Sequence, residues 1–101
     1  MDNELNEADK ALDVWMEAQA KADLAATRHK HKTAAQIAVL SEDQGVTKAK
    51  ELVYATDEWL ERQTYCDGCA LKAQAAKMAF EQAIRRFEAA RSYFSAGRKV
   101  A

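Results

Sequence analysis

The sequence predicts an all-α protein: an antiparallel hairpin of two long, coiled-coil-like helices that dimerises into a helical bundle. Three observations lead to this prediction. The chain of 101 residues contains 22 alanines, three glycines and no proline, a composition that favours helix and lacks the frequent turns of strand-rich folds. Apolar side chains recur every seven residues over much of the chain. Charge alternates in blocks that match when the chain folds back on itself.

The length predicts a single domain over residues 1–101, with one turn near 44–47. Gly45 suits a left-handed position just after a helix, and Thr47 suits the N-cap of the next helix. The first helix is therefore predicted over about 3–43 and the second over about 48–96, followed by a frayed tail at 97–101.

The second predicted helix carries two heptad series that indicate a packing seam. The apolar, d-like series is Leu52, Trp59, Cys66, Ala73, Phe80, Phe87 and Phe94. The mixed, a-like series is Ala49, Thr56, Gln63, Ala70, Lys77, Ile84 and Arg91, and we expect Val53 and Leu60 to widen the seam near the turn. The inward face of the first helix is predicted to hold Leu5, Ala8, Leu12, Trp15, Ala22, Ala26, Ile37 and Leu40.

Gly68 lies inside the second predicted helix, and two interpretations of it are open. The heptad phase runs through Gly68 without a shift, which favours one continuous helix, because glycine costs only about 1 kcal/mol relative to alanine there. Alternatively, Gly68 ends the helix and the chain forms a compact bundle of three helices. We prefer the continuous helix.

Four charge blocks favour the antiparallel arrangement. The net charges of residues 1–27, 28–50, 51–69 and 70–101 are −5, +3, −4 and +5, which sum to the −1 of the chain. Folding at Gly45 brings residue i near residue 90 − i, so the acidic start meets the basic end. The same register places the basic run 28–32 opposite Asp57, Glu58 and Glu61, and places Trp15 opposite Ala75.

A second apolar strip on the second helix predicts self-association. It comprises Leu71, Ala75, Met78 and Ala79, and an exposed apolar strip of this kind is typically buried against another chain. The residues predicted to mediate self-association are Trp15, Trp59, Leu71 and Met78. We therefore expect a homo-oligomer, most simply a dimer that forms a four-helix bundle.

Several functional classes lack their sequence signals. No apolar run is long enough to span a bilayer, and the acidic N-terminal segment has no apolar core of an export signal. We therefore expect a cytoplasmic protein with no membrane partner. A Gly-rich phosphate loop, a His-Glu-x-x-His motif and a nucleophile elbow are all missing. The prediction is a non-enzyme with no catalytic residue and no cofactor.

The pair Cys66-x-x-Cys69 has three interpretations. A thioredoxin-like redox site needs a preceding strand, and none is predicted. An intermolecular zinc site would pool the pairs of two chains into four thiolates. In the preferred interpretation, both cysteines are small packing residues of the seam and bind no metal.

Two basic segments are candidates for nucleic-acid binding. The run from Arg28 to Lys32 contains His29 and His31 but no aromatic residue, and we expect a solvated face that pairs with the acids of the second helix. The C-terminal segment combines cations with Tyr93 and Phe94, which suits a contact with phosphates and bases. Its candidate contact residues are Arg85, Arg86, Arg91, Arg98 and Lys99.

The run from Gln44 to Lys50, the Ala-rich helix after it and the ending from Phe87 to Ser92 carry a family resemblance. They resemble small helical-hairpin proteins of tailed bacteriophages and prophages, often encoded near recombination and replication genes. The resemblance covers about residues 20–95 and implies no catalytic residue. It implies a bacterial cytoplasm, an unknown phage or host protein as partner, and an accessory role in DNA metabolism. The cysteine pair and the histidines depart from the family pattern.

Overall fold

A computed structural model describes residues 2–100, and the side chains of residues 94–100 lie outside the description. Within this part the chain forms three helices and no strand: α1 (Asp2–Gln44), α2 (Val46–Tyr54) and α3 (Asp57–Val100). The all-α prediction is confirmed. Over the same residues, no helix contains a stretch that is both long enough and apolar enough to cross a bilayer.

The connection between α1 and α2 is a single residue, Gly45. Its φ of 81° is positive, as predicted, but its ψ of 160° is extended rather than left-handed helical. The Gly45 N–H donates to the Ser41 carbonyl at 3.1 Å, and its own carbonyl accepts from the Ala49 N–H at 3.0 Å. Thr47 lies inside α2, so its predicted role as N-cap is wrong; Gly45 begins that helix without a side-chain cap.

The predicted continuous helix over 48–96 is wrong at Ala55–Thr56, where α2 ends and α3 begins. The Thr56 hydroxyl donates to the Val53 carbonyl at 2.7 Å and accepts from the Trp59 N–H at 3.2 Å. One side chain thus satisfies a backbone group on each side of the break, which is the role of an N-cap residue. Asp57 and Glu58 occupy the first turn of α3, where the helix dipole favours negative charge.

Further along, α3 runs through Gly68 without interruption and ends at Val100. The continuity predicted from the heptad phase at Gly68 is confirmed, since the break lies twelve residues earlier. The prediction that this helix ends at about residue 96 is wrong, since α3 ends at Val100. The predicted frayed tail at 97–101 falls largely outside the described side chains.

The chain divides into two compact units, Ala20–Ala70 and a unit made of Met1–Gln19 with Leu71–Ala101. In the latter, called the terminal unit here, the Trp15 and Phe80 rings stack with centroids 5.5 Å apart. Glu7 and Arg86 form an ion pair at 4.0 Å. Numbers rising along α1 meet numbers falling along α3, so the two segments are antiparallel. The predicted register is wrong, because Trp15 lies against Phe80 rather than Ala75: the connection contains α2 and a break instead of one tight turn.

The unit Ala20–Ala70, called the central unit, contains the end of α1, all of α2 and the start of α3. Ala49 and Val53 are its most buried apolar side chains, with 0% and 2% of their surface exposed. Leu52 and Leu60, predicted to lie in the seam, are exposed instead. The inward placement predicted for Ala49 and Val53 is thus confirmed, and that predicted for Leu52 and Leu60 is wrong.

On α3 the d-like series packs inward as predicted, but its companion series differs. Ala73 is buried, while Trp59, Cys66, Phe80 and Phe87 are half-buried. The inward companions are Arg62, Cys69, Ala76, Ala83 and Ala90, one residue before the predicted Gln63, Ala70, Lys77, Ile84 and Arg91. Of the predicted companions, Gln63 and Ile84 are half-buried and Ala70, Lys77 and Arg91 are exposed.

The predicted inward face of α1 is correct for most of its members. Ala8 and Ala22 are buried, and Leu12, Trp15, Ile37 and Leu40 are half-buried. Leu5 and Ala26 are exposed and were predicted wrongly. The neighbouring positions Glu4 and Ala25 are turned inward instead, which again moves the packed face by one residue.

Candidate binding surfaces

An apolar face on α3 in the terminal unit remains uncovered. Leu71 and Met78 are 66% and 54% exposed, and the Ala75 and Ala79 side chains are exposed as well. Leu71, Ala75 and Met78 are spaced by four and three residues, so they share one side of the helix. We call these three residues the outer face of α3.

The two tryptophans predicted for self-association have partners within their own units. Trp15 is half-buried against Phe80, and the Lys77 ammonium lies 5.9 Å from its ring centroid. Trp59 packs against Tyr54 at 4.9 Å and His29 at 5.3 Å between ring centroids. Of the four residues predicted to mediate self-association, Leu71 and Met78 are thus the two whose side chains are mostly exposed.

The described core is built from small side chains, and larger apolar side chains lie outside it. The buried apolar residues are Ala8, Ala22, Ala49, Val53, Cys69, Ala73 and Ala83. No side chain of the described part is both large and fully buried. The large exposed apolar residues include Val14, Met16, Leu24, Val39, Leu60, Tyr65, Leu71, Met78 and Tyr93. A chain of this kind has apolar surface available for a partner.

The basic end of α3 is accessible. Arg85, Arg86 and Arg91 are exposed, and Tyr93 is 85% exposed. Arg86 pairs with Glu7 at 4.0 Å while both side chains stay largely exposed, so the pair contributes little to stability. The side chains of Phe94, Arg98 and Lys99, also predicted for this surface, lie outside the described part.

The central unit contains a groove of about 730 Å³ between α1 and α3. Four cations line it: Lys21, Arg28, Lys32 and Arg62. The remaining lining residues include Leu24, Ala25, His29, Glu58, Glu61, Tyr65 and Cys66. We call this feature the basic groove. Its volume lies within the range of about 300–1,000 Å³ that is typical of small-molecule sites.

A directed chain of hydrogen bonds fixes one wall of the basic groove. Arg62 Nε donates to His29 Nδ1 at 3.2 Å, and Arg62 Nη2 donates to Gln36 Oε1 at 2.8 Å. Because Nδ1 of His29 accepts, its Nε2 carries the proton and donates to Gln63 Oε1 at 3.0 Å. Gln63 Nε2 then donates to Asp67 Oδ1 at 2.9 Å. The half-buried guanidinium of Arg62 is therefore oriented by neutral acceptors.

The basic run 28–32 is not paired with acids as predicted. Arg28 and Lys32 line the basic groove together with Glu58 and Glu61, but none of these four side chains forms an ion pair within the described part of the chain. Lys30 and His31 are exposed and lie outside the lining. The cations of the groove thus remain available to an anionic ligand.

The two cysteines of the Cys-x-x-Cys pair differ in burial. Cys69 is buried and Cys66 is half-buried, and both are free thiols. Burial raises the pKa of the Cys66 thiol above its ordinary value, neighbouring Cys69 and Asp67 act in the same direction, and Arg62 opposes them. In the described residues, no three His, Cys, Asp or Glu side chains come together to hold a metal ion. A zinc site shared by two chains would have to draw on both Cys66 and Cys69, and Cys69 is 6% exposed.

Gln36, Arg62 and Gln63 were not predicted as site residues. Arg62 lies three residues after Trp59, on the inward companion series, and a cation at such a position is a signal for a polar partner on the facing helix. Gln36 and His29 are seven residues apart on α1, which places both on one face.

No protein-family model matches the chain, and neither a curated protein nor a solved structure shows significant similarity to it.

Proposed function

We propose that this chain is a non-enzymatic, oligomeric protein that acts through protein–protein contacts, with the helices of two copies forming one bundle. The observation that carries the proposal is the distribution of apolar side chains: small residues are buried and large ones, Leu71 and Met78 among them, are exposed. The resemblance to phage hairpin proteins supports an accessory role in the cytoplasm of an infected bacterium, with an unknown phage or host protein as further partner.

The outer face of α3 supports a second copy as its occupant. Leu71 and Met78 are one heptad apart, with the small Ala75 between them, which suits close packing of two helices. In a symmetric dimer each copy offers the same patch, so an apolar patch can be complementary to itself. A chain with so small a described core also gains the burial that it lacks as a monomer.

The experiment is the double variant Leu71→Glu/Met78→Glu, measured by sedimentation velocity. Two carboxylates on each copy would face one another across the proposed interface, so we expect the variant to sediment as a monomer. Val14→Glu is the matched control, since Val14 is 58% exposed in the same unit but lies on α1. The proposal fails if the double variant and the control have the same mass as the unmodified chain.

A second function, binding of nucleic acid at the basic end of α3, is favoured by a separate observation. Arg85 and Arg91 are exposed and make no ion pair among the described residues. Fluorescence anisotropy with single-stranded and duplex DNA tests it, with Arg85→Gln/Arg91→Gln compared against the exposed control Lys72→Gln. This function predicts a binding constant that falls steeply with salt and more steeply for the control than for the double variant. Equal salt slopes would contradict it.

A further inference from the structure

We propose that the basic groove of the central unit binds a small phosphorylated ligand with a flat apolar body, of the nucleoside phosphate class. The proposal concerns a different unit and different residues from the outer face of α3, so the two can fail independently. It is based on an oriented guanidinium, an apolar end of the same groove, and two carboxylates that limit the ligand's charge.

The anion site is built around Arg62. Its guanidinium is half-buried, and two of its nitrogens donate to the neutral acceptors His29 and Gln36. Nη1 has no hydrogen-bond partner among the described residues. A guanidinium that is held in place without a carboxylate keeps its charge for an incoming phosphate, and the planar donor fork matches phosphate oxygens. Arg28 and Lys32 line the same groove and add two further cations.

The apolar part of the groove lies one helical turn from these cations on both helices, and Lys21 follows one turn beyond it on α1. Leu24 precedes Arg28 by four residues on α1, and Tyr65 follows Arg62 by three on α3. Since His29 and Gln36 contact Gln63 and Arg62 with the chain directions opposed, Tyr65 lies at the Leu24 end. The Tyr65 ring is 57% exposed, which leaves a face for stacking on a flat ring.

The two carboxylates of the groove distinguish a small ligand from a nucleic-acid strand. Four cations and the acids Glu58 and Glu61 give the lining a net charge of +2 with His29 neutral. Glu58 precedes Arg62 by four residues and Glu61 adjoins it, so both carboxylates lie at the cationic end of the groove. A strand with a phosphate at every nucleotide adds more repulsion against them than a ligand with a single phosphate. Carboxylate oxygens also accept hydrogen bonds from sugar hydroxyls. The lining therefore fits a single nucleotide better than an oligonucleotide.

Isothermal titration calorimetry with adenosine 5′-monophosphate tests the proposal, with adenosine and inorganic phosphate as the two fragments. We expect the nucleotide to bind at least about tenfold more tightly than either fragment, because each fragment uses one end of the groove. Arg28→Gln and Lys32→Gln should each weaken nucleotide binding by about tenfold, the effect of one charge-assisted hydrogen bond. Both side chains are exposed, and far-UV circular dichroism checks that the variants keep their helices.

Two controls separate the groove from general electrostatic attraction. Lys30→Gln removes an exposed cation of the same basic run that does not line the groove, and it should leave binding within about twofold. Tyr65→Ala should weaken the nucleotide by about tenfold and leave inorganic phosphate unchanged. The proposal is overturned by no nucleotide binding at millimolar concentration, by an equal loss in Lys30→Gln, by phosphate binding as tightly as the nucleotide, or by a single-stranded oligonucleotide binding more tightly than the nucleotide.

Discussion

Replacing Trp15 by alanine tests the packing of the terminal unit most sharply. The half-buried indole stacks on Phe80 with an interplanar angle of 28° and centroids 5.5 Å apart, and the Lys77 ammonium lies over the ring. Its Nε1 is buried without a hydrogen-bond partner. The side chain therefore brings stabilising ring contacts and one uncompensated polar atom.

The expected cost of Trp15→Ala follows from these contacts. A half-buried tryptophan removes about 100 Å² from water, about half of its full burial, and this is worth about 2.5 kcal/mol at 25 cal/mol/Å². The Phe80 stack adds about 1 kcal/mol and Lys77 about 0.5 kcal/mol. The unpaired N–H offsets about 1–2 kcal/mol of this. We expect a net loss of about 2–3 kcal/mol for Trp15→Ala, and a change within about 1 kcal/mol for Trp15→Phe, which keeps a ring and removes the unpaired donor.

Urea unfolding followed by far-UV circular dichroism, at one protein concentration, measures both variants. Met16→Ala is the control, because Met16 is 61% exposed and should change the free energy of unfolding by less than about 0.5 kcal/mol. A loss below about 1 kcal/mol for Trp15→Ala, or an equal loss for Trp15→Phe and Trp15→Ala, would refute the role assigned to the ring contacts.

Four further predictions concern the turn at Gly45, the helical Gly68, the helix break and the cysteine pair. Gly45→Ala should lower the free energy of unfolding by about 1–3 kcal/mol, because Gly45 has a φ of +81°. Gly68→Ala should raise the free energy of unfolding by about 0.5–1 kcal/mol, since an added Cβ meets nothing within 4 Å in the middle of α3. Equal effects of the two glycine variants in urea unfolding would contradict both predictions. Thr56→Ala should lower the free energy of unfolding by about 1 kcal/mol, because it removes the N-cap of α3. Thr64→Ala loses only a hydroxyl hydrogen bond to the Leu60 carbonyl and should lower it less. The reverse order would be inconsistent with the break at Ala55–Thr56. Burial raises the folded pKa of Cys66 above the ordinary value of 9.0, so the stability gained from its protonated thiol is full below that value and is lost as pH rises through the folded pKa. Between pH 8 and pH 10 the urea midpoint should therefore fall more for the unmodified chain than for Cys66→Ala. Parallel curves of midpoint against pH would disagree with this assignment.

Alanine content, absence of proline and the heptad recurrence of large side chains were sufficient to predict an all-α chain and an inward d-like series. The positive φ of Gly45 follows from its place just after a helix, and the helical continuity at Gly68 follows from the unshifted heptad phase. In these cases the local sequence determines the backbone.

The companion series and the helix break depend on contacts between helices. Thr56 followed by Asp57 and Glu58 is an N-cap with first-turn acids, but heptad spacing through the same residues favoured one helix, and the cap prevails. Cys69 and Ala83 pack inward instead of Ala70 and Lys77, a choice that depends on the facing helix and that the residue spacing within one helix does not specify. The Arg62–His29 contact belongs to the same class, since residues 33 positions apart in sequence meet only after α1 and α3 pack.

Sedimentation equilibrium of the unmodified protein at micromolar concentration tests whether two copies of this chain assemble as proposed. We expect a mass of twice the 11.3 kDa chain, from a dimer that dissociates on dilution. A folded, helical species with the mass of one chain throughout that concentration range would contradict it.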